Sequence, residues 1–192
     1  MTKFAIRWSG LLLIIGAALL GTAIVMASFA PEQSQQLPPL ANAFLFSASI
    51  LLLLSVPSMY ARQADAAGWL GLIGHVLLQT GVLLFVVVSA PPLLYSSFDR
   101  PFENNVTAFL LGIALSLGLL LSTIATIRAG VYPRGASILL LIGTAGFFFS
   151  FFIAEFLPRL AGQVVGVILS IVLALALAWI GFSMWRGLRP AT

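Results

Sequence analysis

Six long apolar runs, parted by short polar breaks, dominate the chain at approximately 8–30, 40–61, 67–90, 105–127, 136–155 and 162–185. Each is long enough to cross roughly 30 Å of hydrocarbon as an α-helix of about 20 residues. The breaks are chemical. "APEQSQQLPP" (30–39) and "PPLLYSSFDRPFENN" (91–105) combine proline, amide and charge, whereas "ARQADAAG" (61–68), "RAGVYPRG" (128–135) and "EFLPRLAG" (155–162) are tighter. No alternating barrel pattern runs through these stretches, and unpaired backbone groups are too costly in lipid, so helix is the predicted state. The expected fold is all-α: an integral membrane bundle of six transmembrane helices with short loops, a single transmembrane domain over residues 1–192.

Composition agrees with that pattern. Hydrophobic residues make up 61% of the chain and charged residues only 7%, with mean hydropathy +1.14. A soluble domain averages about a quarter charged residues, so these charges cannot wet a globule and most of the surface must face lipid. The pI near 10.4 does not point to nucleic acid, because the nine basic residues are scattered singly between apolar runs. The lipid bilayer is the expected partner. The chain has no cysteine, which excludes disulfides, thiol catalysis and zinc–thiolate or Fe–S sites.

Charge also predicts orientation. Lys3, Arg7, Arg62, Arg128, Arg134, Arg186 and Arg189 would share one side with both termini, and only Arg100 and Arg159 would lie opposite. Four of the five acids, Glu32, Asp99, Glu103 and Glu155, fall on that opposite side. An excess of Lys and Arg in short loops marks the cytoplasm, so both termini are expected inside. Trp8, Trp69, Trp185, Tyr60 and Tyr132 crowd the same boundary as an aromatic belt would. The first run resembles a secretory signal with "SFA" at 28–30, but its length and Pro31 favour retention as a membrane helix. "AFLF" (43–46), Arg62 and "LIG" (72–74) are echoed by "AFLL" (108–111), Arg128 and "LIG" (141–143), either as duplicated hairpins or as a chance likeness of leucine-rich helices.

Helices already in lipid associate where small side chains let backbones approach. The last run carries Gly162, Gly166, Ser170, Ala174 and Ala178 at every fourth position, a candidate packing face within the bundle or toward a second copy or subunit. The fourth carries Ala108–Gly112–Ser116 and Ala114–Gly118–Ser122–Thr126. "GFFFSFFIAEF" (146–156) sets six phenylalanines round its helix, for packing and lipid contact before any quinone or carotenoid.

Intramembrane polar groups are the remaining source of chemistry. His75, the only histidine, and Gln79 share one face of the third run, and Ser55, Pro57 and Ser58 of the second run come to similar depth. Pro57 has no N–H, which leaves the carbonyl four residues earlier unpaired. His75, Gln79, Ser55, Ser58 and that carbonyl form the candidate intramembrane polar cluster. The economical reading is hydrogen bonding between helices, the sharper one a solute or proton pathway. Metal or haem ligation fits least, since one histidine cannot build a multi-histidine site. Glu155 and Arg159 are spaced for a boundary ion pair, Arg128 and Arg134 for anionic headgroups, and Asn105-Val106-Thr107 matches a glycosylation pattern. No catalytic, metal or cofactor constellation is visible, and none is expected.

"TIRAGVYPRGASILLLIG" (126–143) resembles a passage in uncharacterised families of small bacterial polytopic membrane proteins, where a helix ends in arginine, a turn carries Pro-Arg and a leucine–glycine helix follows. The resemblance covers one hairpin, implies a bacterial inner (plasma) membrane protein, and transfers no functional residue. The expected function is non-enzymatic: a small integral component that packs with itself or with other membrane subunits. The alternative is a small permease or channel-like protein with His75 and Gln79 on its path, ahead of a membrane enzyme.

Overall fold

A computed structural model describes residues 3–29, 38–90, 105–152 and 159–187. Among the described residues the chain is all-helical: α1 (Lys3–Ser28), α2 (Pro39–Ser89), α3 (Asn105–Ala129), α4 (Arg134–Phe152) and α5 (Arg159–Arg186). Stretches of α1, α2, α3 and α5 are long and apolar enough to cross a membrane, while the apolar stretch described in α4, Arg134–Phe149, is shorter. Large side chains such as Leu54, Val76, Ile138, Val164 and Leu175 stand more than half exposed. Apolar helices that also expose aliphatic side chains are the mark of a membrane-embedded protein.

Among the described residues five helices stand where six separate ones were expected, and the reason lies in α2. Its 51 residues would reach about 75 Å if straight. Instead Gly68, at φ 57° and ψ −155°, reverses the chain within one residue. Ser49 and Ser89, 40 residues apart, meet at 3.2 Å between their hydroxyls. The helix runs on to Ala67 and resumes at Trp69, so the loop expected at 61–68 is helical except at Gly68. That backbone region is open essentially to glycine alone. α2 is thus two antiparallel arms, 39–67 and 69–89.

The helices pack in a ring: α1 on α2, α2 on α3, α3 on α4, α4 on α5, and α5 back on α1. One core runs through it, with Leu13 from α1, Leu52 and Val56 from the first arm of α2 and Leu78 from the second. Leu119 from α3, Leu140 from α4 and Ile180 and Met184 from α5 complete it. Small residues set the closest approaches. A methyl built on Gly10 would lie 2.6 Å from the Gly181 carbonyl oxygen, locking α1 to α5. One on Gly74 would lie 2.7 Å from the Ser122 nitrogen, and one on Gly118 would overlap the Leu78 backbone. Gly143 and Gly146 of α4 press on Leu173 and Leu169 of α5 in the same way.

Of the face expected on α5, Gly162 and Ala174 are buried, while Gly166, Ser170 and Ala178 are half-buried. Ala178 packs on the core, and Ala174 faces Gly21 of α1. The row therefore serves α1 over at least part of its length. Glu32, Asp99, Arg100, Glu103, Glu155, Arg189, the "SFA" site beyond Phe29 and the side chains of Lys3, Asn105, Thr107 and Arg159 lie outside the described residues.

Candidate functional site

Pro57 begins the local chemistry. Lacking an N–H, it leaves the Leu53 carbonyl without its helical donor, and Gln79 from the opposite arm supplies one, its Nε2 donating to Leu53 O at 2.8 Å. The proline and the glutamine are thus one unit: a break in one helix filled by the next.

The other members of the expected cluster go separate ways. His75, half-buried, stacks on Tyr60, with ring centroids 4.7 Å apart and planes 12° from parallel. Ser55 donates to Leu52 O in its own helix at 3.2 Å. Ser58 shares a hydrogen bond of 2.7 Å with Ser9 of α1, on the far side of the arm. Gln79 reaches the freed carbonyl as expected, but Ser55 and Ser58 are spent elsewhere.

Two residues not singled out for chemistry complete the site. Gln63 and Ser122 join Val56, Met59, Tyr60, His75 and Leu78 round a small half-open hollow of about 10 Å³. Gln63 is 3% exposed and Ser122 6%, yet Gln63 Oε1 and Ser122 Oγ have no hydrogen-bond partner. The other such atoms among the described residues are Gln79 Oε1 and Ser116 Oγ. All four lie on α2 and α3, and the antiparallel pairing of Gly74 with Ser122 and of Gly81 with Leu115 puts Gln79 and Ser116 farther from Gly68 than Gln63 and Ser122. Gln63 and Ser122 thus meet where α2 packs on α3, while the Gln79 amide is turned to Leu53 O between the arms of α2.

A second polar group ties the ends of the helices near Gly68. Tyr132, in the turn between α3 and α4, is 2% exposed and donates to Met59 O at 3.0 Å. Arg62 lies over its ring, 5.3 Å from the centroid, and donates to Ser183 O on α5 at 3.1 Å. Burial raises the Tyr132 phenol well above the usual tyrosine range, and the Arg62 charge opposes that rise in part. Tyr132 is thus an inward clamp and not a member of the aromatic belt, whereas Trp8, Trp69 and Trp185 are exposed. Arg7 donates to Trp185 O at 3.1 Å, so the N-terminal end of α1, the Gly68 turn, the α3–α4 turn and the C-terminal end of α5 gather at one end of the bundle.

The signal for Tyr60 lay in the turn: it is eight residues before Gly68 and His75 seven after, so a reversal there sets them opposite. Ser122 was visible only as part of a packing line. Among the described residues no group of three His, Asp or Glu side chains stands ready for a metal. No family model, curated protein or solved structure matches this chain.

Proposed function

We propose that this chain is a non-enzymatic integral component of a bacterial inner membrane, crossing it six times with both termini in the cytoplasm. In this reading the arms of α2 are the second and third crossings and α4, with the residues beyond it, the fifth. The observation that carries it is how the intramembrane polar groups are used. Gln79 fills the gap left by Pro57, Ser9 ties Ser58, and Thr123 ties Thr144 at 3.0 Å. These bonds hold helix to helix and leave little for covalent chemistry. The cluster of Arg7, Arg62, Arg128, Arg134 and Arg186 toward one end supports a cytoplasmic assignment of that end. Gly166 and Ser170, half-buried on α5, are the residues offered to a second copy or a neighbouring subunit. Purification from native membranes in a mild detergent tests the reading: a stoichiometric partner or a defined oligomer is expected, and a lone monomer overturns it. Reporters fused to either terminus should both report the cytoplasm.

The unpartnered buried oxygens of Gln63, Gln79, Ser116 and Ser122 favour a second reading, a small permease with His75 and Gln79 beside its path. It predicts a solute that raises the melting temperature of the purified protein and loses that effect in Gln79→Leu.

A further inference from the structure

The hollow beside His75 brings together two residues, Gln63 and Ser122, that each bury an oxygen without a partner. Gln63 Oε1 accepts only, and a buried amide oxygen without a donor is costly. Ser122 lines the same space, and its unpartnered hydroxyl can give or take one hydrogen bond. At about 10 Å³ the space suits a single group of water's size. No carboxylate lines it, so a cation would stand in low dielectric without counter-charge. The amide acceptor disfavours an anion equally. Arg62, the neighbour of Gln63 in sequence, is directed to Ser183 O and the Tyr132 ring, and Asp65 is exposed on the surface. What fits is neutral, small and able to donate.

We propose that this hollow binds one water molecule, which donates to Gln63 Oε1, bonds Ser122 Oγ and rests against the stacked Tyr60–His75 pair. The chain's lone imidazole, itself half-buried, thereby gains an ordered water neighbour on its Tyr60 side. The site stands independently of both functional readings above, since it needs neither a partner subunit nor a transported solute.

Because the chain has one histidine, deuterium uptake at an imidazole carbon reports this position alone. The full-length protein is placed in nanodiscs in deuterium oxide, and exchange of the His75 Cε1 hydrogen is followed by mass spectrometry. Wild type is expected to exchange measurably. Gln63→Leu, which removes the acceptor and fills the hollow, should slow exchange about threefold or more. Ser122→Ala should slow it by a smaller factor, and Thr123→Val, on the α3–α4 seam, should leave it unchanged. Exchange in wild type as slow as in Gln63→Leu would overturn the proposal, as would equal rates in all three variants. If Gln63→Leu does not fold to a monodisperse species, Ser122→Ala against Thr123→Val carries the same decision.

Discussion

Gly68 turns α2 back on itself at φ 57° and ψ −155°, and Gly130 follows α3 at φ 61°. Neither turn is crowded, since a methyl on either glycine would meet nothing within 4 Å. The hairpins they make are nonetheless unlike. The arms of α2 are joined by Gln79 to Leu53 O, by the Tyr60–His75 stack and by the Ser49–Ser89 pair. Across α3 and α4 stands the Thr123–Thr144 pair, and α4 packs more closely on α5 than on α3. The two arginines differ in the same sense: Arg62 is engaged on Ser183 and Tyr132, while Arg128 is exposed. If the echo between these segments marks a duplication, the copies have diverged into a tight hairpin and an open one. A turn that looks alike in sequence says little about how firmly its helices hold.

The contrast is broken most directly at Gly118, where any side chain overlaps the Leu78 backbone. Gly118→Val should cost about 3 kcal/mol in reversible unfolding from mixed micelles. Thr123→Val, on the looser seam, should cost only about 0.6 kcal/mol. Next come the turns themselves. Gly68→Ala forces alanine into a region nearly closed to it, at about 1–3 kcal/mol, and Gly130→Ala should cost about 1–2 kcal/mol. A reversed order of the two midpoints would show that the α2 turn is not the more demanding.

A double-mutant cycle sharpens the comparison further. Gln79→Leu leaves the Leu53 carbonyl unpaired and should lower stability by about 1 kcal/mol. In a Pro57→Ala background the helix supplies its own N–H, so the same change should cost much less. Equal costs in both backgrounds would mean that the glutamine does not serve the proline. The last effect is one of pH and belongs to Tyr132. Its folded pKa is raised above the unfolded value of about 10, so its contribution is complete below that pH and lost as pH rises above it. Stability should fall at alkaline pH in wild type and fall less in Tyr132→Phe, as followed by melting temperature against pH.

Much of this was legible in the residues. Leucine runs of membrane length announce helix, and a proline beside a polar residue on the next run announces a repaired carbonyl. Other features were hidden for identifiable reasons. The Gly68 turn looked like a loop because a one-residue reversal leaves no trace except one glycine among alanines. Tyr132 looked like a belt residue because a tyrosine at a membrane boundary has the same sequence context whether it points outward or in. The direction of Ser58 toward α1 depends on how its helix is rotated, and apolar residues all round leave that rotation unspecified. Gln63 and Ser122 sit on different helices, so only the packing of α2 on α3 brings them to one cavity.

The contact of Gly10 with Gly181 has a consequence for biogenesis. It joins α1 to α5, yet 130 residues, 29 to 158, separate the end of α1 at Ser28 from the start of α5 at Arg159. At about 5–20 residues per second the ribosome delivers that partner on the order of ten seconds after α1 has emerged. Until then α1 must wait in the bilayer with a glycine-lined flank uncovered, open to any insertase or quality-control protease that surveys unfinished chains.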